Sequence, residues 1–177
     1  NKVALDDWGV SLEKVGSVLV ARGNLGRALG QFEASLRIRK ILSRIDPANG
    51  HASRNLFVAF LKIGDVLAEQ GDLPRALENF KASLVIAENL AAENVQSLAA
   101  QRDRSIGFEK MGNVLLRQGN FAGAQEFYEA SQALREKLMK KDPTSAEAER
   151  DFVTASIRVA EVRVARGDLE GALEGFE

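Results

Sequence analysis

The side chains that carry most enzyme chemistry are nearly absent from this chain of 177 residues. It has no cysteine and one histidine, His51, with no cluster of carboxylates beside it in the sequence. Thiolate nucleophiles, cysteine-ligated metals and sites built from several histidines are therefore excluded. The pattern Ser11-x-x-Lys14 matches that of serine nucleophiles, but Ala59 and Gly107 replace the serine in the later copies of the repeat described below. We therefore expect no catalytic site, no metal site and no cofactor, and we interpret His51 as a surface residue.

The basic residues form recurring groups along the sequence. One cationic column recurs at a constant interval and comprises Lys14, Lys62, Lys110 and Arg158. We interpret it as side chains that snorkel along neighbouring helices or form ion pairs between them. Two further basic clusters comprise Arg37, Arg39, Lys40 and Arg44, and Arg135, Lys137, Lys140 and Lys141. We interpret these clusters as a solvated face, and binding of nucleic acid or a phosphoanion is the weaker alternative. The net charge of −1 gives no overall attraction to nucleic acid or to an anionic membrane.

A repeat with a period of 48 organises the chain. Residues 9–36 and 57–84 are identical at 14 of 28 positions without a gap, and two further copies follow in register. We delimit the units as residues 1–48, 49–96, 97–144 and 145–177, the last one truncated, within a single repeat domain. The invariant columns are Val18/Val66/Val114/Val162, Gly23/Gly71/Gly119/Gly167 and Ala28/Ala76/Ala124/Ala172. The valine predicts contact with a neighbouring helix, the glycine a left-handed helix end, and the alanine a close approach of two helices.

Each unit is predicted to form two antiparallel helices. The apolar stripe of the first helix is Trp8, Leu12, Val15 and Leu19. The stripe of the second helix is assigned to Leu25, Ala28, Leu29, Phe32 and Leu36, and is continued to Ile41 and Ile45. The Asn or Asp that follows each invariant glycine predicts an N-cap for the second helix.

The connections between units are predicted from proline and capping residues. Asp46-Pro47 and Asp142-Pro143 predict that a helix ends before each of them. Thr144 and Glu147 predict a capping box for the next helix. Asn94-Val95 lacks the proline, so the chain is expected to run on more smoothly there.

The pattern resembles the tetratricopeptide repeat (TPR), a family with a usual period of about 34 residues. The resemblance rests on a large residue followed by glycine, then glycine, alanine and an aromatic residue at fixed offsets. These are Val15-Gly16, Gly23, Ala28 and Phe32 in the first unit, and Met111-Gly112, Gly119, Ala124 and Tyr128 in the third. The longer period is expected to lengthen both helices to about 18–22 residues, or about 30 Å. The resemblance implies an all-α, right-handed superhelical α-solenoid of antiparallel helix pairs. It also implies that the first helix of each pair (helix A) lines a concave groove that binds proteins.

The positions that the resemblance maps to this groove are apolar with acidic points. We assign a partner-binding groove to Glu13, Ser17, Leu61, Asp65, Glu69, Glu109, Asn113, Arg117 and Glu161. Some TPR proteins grip a C-terminal carboxylate with Lys and Asn here. The corresponding positions hold Glu13 with Ser17 and Leu61 with Asp65, so that clamp is absent. The excess of carboxylates predicts a basic or apolar-basic protein or peptide as the partner.

Self-association of a regulatory or sensor segment is the main alternative to this scaffold role. We expect Val162, Leu169 and Leu173 to lack a following unit, and exposed apolar ends of a solenoid favour a homodimer. No stretch resembles a signal peptide, and none approaches the ~18 consecutive apolar residues of a membrane span. We expect a cytoplasmic location and no membrane contact. The missing N-terminal Met and the unterminated last helix suggest a piece of a longer protein.

Overall fold

The computed structural model describes residues 1–174, and within that range the chain forms eight helices and no strand. The helices are α1 (Lys2–Ala21), α2 (Leu25–Ile45), α3 (Gly50–Gln70), α4 (Leu73–Glu93), α5 (Leu98–Arg117), α6 (Phe121–Lys141), α7 (Ala146–Ala165) and α8 (Leu169–Glu174). The helices α1 to α7 contain 20 or 21 residues each. The expected helix length of about 18–22 residues is therefore confirmed for α1 to α7. Within the described residues, none of the helices is both long enough and apolar enough to cross a membrane.

The chain forms two compact units, Asn1–Leu90 and a second that begins at Ala91. In the first unit α1 packs on α2 and α2 packs on α3. In the second, α5 packs on α6, α6 on α7, and α7 on α8. The core therefore consists of helix pairs joined to the next helix A, as the repeat predicts.

The turn inside each helix pair is built as the invariant glycine column predicts, whereas the valine column is buried at Val66, Val114 and Val162 but exposed at Val18, where the predicted contact with a neighbouring helix was wrong. Gly23, Gly71, Gly119 and Gly167 all have positive φ, between 70° and 87°. The residue after the glycine then caps the second helix: Asp72, Asn120 and Asp168 accept backbone N–H bonds through their side chains. Asn24 occupies the N-cap position of α2 without such a bond. The alanine column is buried in all four pairs.

The connections between pairs are alike, which corrects two predictions. Each leaves four residues between helices, at 46–49, 94–97 and 142–145. The connection at Asn94-Val95 was expected to be smoother, and this was wrong because Ser97 caps α5 by accepting from the Ala100 N–H. The box between Thr144 and Glu147 was also wrong. Ser145, one residue later, caps α7 by accepting from Ala148 N–H, while the Thr144 hydroxyl donates to Asp142.

The apolar stripe of α2 differs from the predicted one. Ile41 and Ile45 are exposed, and the buried positions after Phe32 are Ser35, Ile38, Arg39 and Leu42. A helix turns 100° per residue, so the buried line follows the spacing 28, 32, 35, 39 and 42. The prediction left that line because it avoided the polar residues. The stripe of α1 also splits, since Leu19 is buried whereas Trp8 and Val15 are exposed.

Candidate functional site

In the first unit, three of the predicted groove residues surround one open cleft between α1 and α3. The cleft has a volume of about 190 Å³. It is lined by Ser17, Val20, Phe32, Lys62, Asp65, Val66 and Glu69. Asp65 and Glu69 lie one turn apart on α3 and are exposed, whereas Phe32 and Val66 are buried and form an apolar floor. The predicted residue Leu61 is half-buried on α3 and does not line the cleft.

Lys62 is positioned by two neighbours in this cleft. Its Nζ lies 5.4 Å from the centroid of the Phe32 ring and donates to Ser17 Oγ at 3.3 Å. The ammonium thus lies over an aromatic face, a favourable cation–π arrangement. The prediction that this cationic column snorkels along a neighbouring helix is confirmed at Lys62.

In the second unit, the predicted residues Asn113 and Glu161 are engaged by neighbours. The Tyr128 hydroxyl donates to Asn113 Oδ1 at 2.7 Å, and Arg158 donates to Glu161 at 2.8 Å. Burial raises the pKa of Tyr128 to about 12, because the phenolate would lose its hydration. Arg117 is exposed in the last turn of α5. Asn113 and Tyr128 occupy the positions of Ser17 and Phe32, two periods of the repeat later. Each unit therefore brings these two positions to one site: Ser17 and Phe32 line the same cleft, and Tyr128 contacts Asn113.

Glu13 has an intramolecular role that the sequence did not suggest. It accepts from Arg39 Nε at 3.0 Å and from Ser35 Oγ at 2.8 Å. The Arg39 side chain is 2 % exposed and also forms an ion pair with Asp6. Gly9 makes room for the guanidinium, since a Cβ there would lie 3.1 Å from Arg39 Cζ. Glu13 therefore neutralises a buried charge between α1 and α2.

Glu109 has the same role in the second unit. It pairs with Arg135, which is buried between α5 and α6. Arg135 also donates to Ser105 Oγ at 3.3 Å and to the Asp151 carbonyl at 3.1 Å. Arg39 and Arg135 were predicted to lie on a solvated basic face, and this was wrong. Each is a buried polar residue in a helix–helix core. One cation of each predicted basic cluster therefore does not lie on the surface.

The second helix pair, α3 and α4, has no charged residue at the equivalent positions. The positions of Glu13 and Arg39 hold Leu61 and Ala87, and Phe57 replaces Gly9. Phe57 and Ala87 are 1 % and 0 % exposed, so apolar residues are buried at the positions that hold Gly9 and Arg39 in the first pair. The sequence contains a signal for the buried arginines. Arg39 lies on the spacing of three and four residues that the core residues of α2 follow, and it recurs as Arg135 after two periods of the repeat.

Two equivalent clefts flank the buried arginines. One, of about 240 Å³, is lined by residues that include Lys2, Asp6, Arg39 and His51. The other, of about 250 Å³, has Arg102, Arg135, Glu147 and Asp151 in its wall. Arg102 is paired with both carboxylates, at 2.7 Å from Glu147 and 2.8 Å from Asp151. His51 is exposed, as predicted. Within residues 1–174 no group of three or more potential ligands is arranged to hold a metal ion.

The end of the described chain corrects one further prediction. Val162, expected to lie on an uncovered face, is fully buried against Ala124, Tyr128 and Val159. Leu169 and Leu173 on α8 are exposed. The apolar surface at this end is therefore smaller than the sequence suggested, because α6 already covers the valine.

Comparison with known proteins identifies the fold. No protein-family model and no curated protein sequence matches the chain. Among solved structures, BtubC (BKLC) from P. vanneervenii matches with a TM-score of 0.76 and 14 % identity over 97 % of this chain and 61 % of that protein. The apo form of RapI matches with a TM-score of 0.72 and 13 % identity over 96 % of this chain and 41 % of that protein.

A putative kinesin light chain from Podosopora anserina with nearly identical TPR-like repeats matches with a TM-score of 0.52 and 12 % identity, over 94 % of this chain and 90 % of that protein. The chain thus spans less than two thirds of the length of BtubC and of RapI. At these identities the likeness shows the fold. The chain is an all-α helical repeat protein with the TPR-like solenoid fold.

Proposed function

We propose that the chain is a protein-interaction module that binds a basic or apolar-basic segment of a partner protein in the cleft between α1 and α3. The observation that supports this proposal is the juxtaposition of two exposed carboxylates with an apolar floor. The exposed Asp65 and Glu69 line the cleft together with the buried Phe32 and Val66. An apolar side chain of the partner fits the floor, and a neighbouring Lys or Arg reaches the two carboxylates.

The carboxylates of the cleft outweigh its single cation. Lys62 lies over the Phe32 ring and contacts Ser17. Asp65 and Glu69 are exposed on the next turns of the same helix. Complementary charge speeds encounter and selects against acidic partners, while the apolar contact supplies most of the affinity.

The proposal rests on Asp65 and Glu69 and not on Glu13 and Glu109. The latter two neutralise Arg39 and Arg135. Their reversal to lysine would leave buried like charges and destabilise the helix pairs. A loss of binding in such a variant would report the loss of folded protein.

The test is a fluorescence anisotropy titration with labelled peptides of equal length and matched apolar content, one basic and one acidic. We expect tighter binding of the basic peptide, and loss of that preference in Asp65→Lys/Glu69→Lys. The matched control is Glu78→Lys, which reverses an exposed carboxylate on α4 and should leave binding unchanged. Tighter binding of the acidic peptide by the unaltered chain would overturn the proposal. Equal loss of binding in the control variant would do the same.

A further inference from the structure

The outward side of α2 carries two exposed isoleucines beside a group of cations. Ile41 and Ile45 lie one turn apart and are 45 % and 58 % exposed. Arg37, Lys40 and Arg44 are exposed on the same side of the helix. We call these five residues the α2 outer face. The face is therefore amphipathic, in contrast to the solvated basic face that the sequence predicted for this segment.

Adjoining repeat units leave this face open. α3 packs on α2 within the first unit, and Ile41 and Ile45 stay exposed beside it. A helix pair that comes earlier in the chain does not cover the position either, as α4 demonstrates. α4 follows a complete pair within the first unit, and its Asn89, at the position of Ile41, is exposed. The exposure of the α2 outer face is thus a property of this position in the repeat, with or without a preceding unit.

The positions of the two isoleucines are polar in the other complete helix pairs. The equivalents of Ile41 are Asn89 and Lys137, and those of Ile45 are Glu93 and Lys141. These four residues are also exposed. Where the repeat meets only water it therefore carries polar side chains at this site, and α2 departs from that rule twice within one turn. Exposed apolar side chains grouped among polar ones are typical of a protein-interaction surface.

The cations of this face lack carboxylates on their own helix. No Asp or Glu occurs in residues 34–45. The nearest carboxylates in the sequence, Glu33 and Asp46, pair with Arg75 at 3.5 Å and with Lys2 at 2.7 Å. The face is therefore positively charged, and a partner with negative side chains complements it.

Two of the three cations are placed to receive those side chains. Lys40 is held by its own fold, since its Nζ lies 5.3 Å from the centroid of the Phe60 ring. Arg37 and Arg44 lie two turns apart, with Ile41 between them along the helix. A carboxylate can thus approach each arginine while an apolar side chain covers the isoleucine.

We propose that the α2 outer face binds an acidic amphipathic helix of a partner protein. Arg37, Ile41 and Ile45 form a row at intervals of four residues, which is the kind of ridge that packs into the groove of a second helix. Two apolar residues one turn apart on the partner cover the isoleucines, and Asp or Glu residues beside them pair with Arg37 and Arg44. This surface is distinct from the cleft between α1 and α3, for which we propose a basic partner.

A protein helix fits this face better than a nucleic acid or an anionic membrane. Phosphate groups would pair with the cations but would leave Ile41 and Ile45 without an apolar contact. Helices that lie in a membrane interface insert a broad apolar face, whereas this face has two isoleucines bordered by three cations. The mixture of a small apolar centre and a charged rim is that of a protein–protein contact.

The test is a fluorescence anisotropy titration of the chain with a labelled peptide of about 18 residues. The peptide presents Leu residues one turn apart with Glu residues beside them, and a side-chain cross-link keeps it helical because isolated helices of this length are marginally stable. A second cross-linked peptide has the same composition, with the Leu residues placed on opposite sides of the helix. We expect the first peptide to bind, and the second to bind at least about tenfold more weakly.

Two variants and a matched control locate the contact. Ile41→Asn/Ile45→Glu installs the two residues that α4 holds at these positions, so the fold should be retained, as circular dichroism verifies, and binding should fall about tenfold or more. Arg37→Ala/Arg44→Ala should weaken binding and reduce its dependence on salt. The control Lys137→Glu/Lys140→Glu reverses two exposed cations of the other basic cluster and should leave binding unchanged.

Four results would overturn the proposal. They are no binding of the first peptide up to about 1 mM, equal binding of the second peptide, unchanged binding by Ile41→Asn/Ile45→Glu, and equal loss of binding in the control. Tighter binding of a labelled DNA oligonucleotide or of phosphatidylserine vesicles, lost in Arg37→Ala/Arg44→Ala, would also overturn it and assign the face to phosphate groups. Repeating the cleft titration in Ile41→Asn/Ile45→Glu removes the contribution of the outer face to binding of an acidic peptide, so the two proposals succeed or fail separately.

Discussion

Arg39 on α2 donates from Nε to Oε1 of Glu13 on α1 at 3.0 Å, in a core position where its side chain is 2 % exposed. The second helix pair, α3 and α4, places Ala87 and Leu61 at these two positions and has the buried Phe57 at the position of Gly9. The same helix–helix contact is therefore made with a charged pair between α1 and α2 and between α5 and α6, and with apolar residues at the equivalent positions of α3 and α4. The repeat therefore offers an internal comparison, from which we predict how the ion pair and the apolar set each contribute to the free energy of unfolding.

We expect Glu13→Leu to lower the free energy of unfolding. Arg39 stays buried and loses one of its two carboxylates, while Asp6 remains beside it. Removing a charged hydrogen-bond partner from a buried cation costs about 2–3 kcal/mol when part of the pairing survives. Urea denaturation followed by circular dichroism measures the change. An unaltered midpoint would show that Asp6 and water neutralise Arg39 without Glu13.

The combined variant Gly9→Phe/Glu13→Leu/Arg39→Ala should recover the stability lost in Glu13→Leu. It reproduces in the first pair the apolar set found at Phe57, Leu61 and Ala87. Buried ion pairs replaced by well-packed apolar residues are often neutral or stabilising. We expect a free energy of unfolding within about 1 kcal/mol of the unaltered chain. A combined variant less stable than Glu13→Leu alone would show that the two pairs are not interchangeable.

A second stability prediction concerns the glycine that meets the core aromatic of each pair. A Cβ at Gly64 would lie 2.4 Å from Phe80 Cε1, and the equivalent distance from Gly112 to Tyr128 is 2.6 Å. Phe80 is fully buried, so its ring cannot move away without cost. We expect Gly64→Ala to destabilise the chain by about 1–3 kcal/mol, measured by thermal and urea unfolding.

The matched control for Gly64→Ala is Gly30→Ala. Gly30 lies inside α2, and a Cβ added to it would have no neighbouring atom within 4 Å. The substitution should stabilise the chain by about 0.5–1 kcal/mol because alanine loses less conformational entropy in a helix. Equal effects of the two substitutions would contradict the close approach of Gly64 to Phe80.

The sequence predicted the features that depend on one helix or one turn. The left-handed glycines, the buried alanines and the helix lengths each follow from local conformation repeated four times. The capping column Asn1, Asn49, Ser97 and Ser145 was equally available, since it recurs with the period of the repeat. Proline marks only two of the three connections, at Pro47 and Pro143, whereas this column marks the start of α1, α3, α5 and α7.

The features that need two helices were harder to predict. Arg39 was placed on the surface because an isolated arginine is costly to bury. Its burial depends on Glu13, 26 residues away, and on the space left by Gly9. The assignment of Glu13 and Glu109 to the groove has the same cause. The sequence does not show that their carboxylates pair with Arg39 and Arg135 of the neighbouring helix.

The buried hydroxyl of Tyr128 predicts a loss of stability in alkali. Burial raises the pKa of Tyr128 to about 12, and an unfolded tyrosine has a pKa of about 10. As pH rises, the unfolded state releases the proton first and binds fewer protons than the folded state. The free energy of unfolding therefore falls between about pH 10 and about pH 12, and the contribution is fully present below about pH 10.

The measurement is the difference between the unaltered chain and Tyr128→Phe in urea denaturation at several pH values. Lysines titrate in both proteins, so their effect cancels in the difference. We expect the stability advantage of the unaltered chain to shrink above about pH 10. Parallel curves up to about pH 11 would contradict the raised pKa of Tyr128.

The α1–α3 cleft predicts that binding of a basic peptide weakens with salt. Asp65 and Glu69 are exposed, so ions screen their attraction for a partner cation. Raising the ionic strength from about 0.1 M to about 1 M shortens the Debye length from about 10 Å to about 3 Å. We expect the dissociation constant to rise several-fold over this range, and Asp65→Asn/Glu69→Gln to bind more weakly at low salt with little further change. Binding that tightens with salt in the unaltered chain would show that the apolar floor of Phe32 and Val66 dominates, and that the two carboxylates do not select the partner.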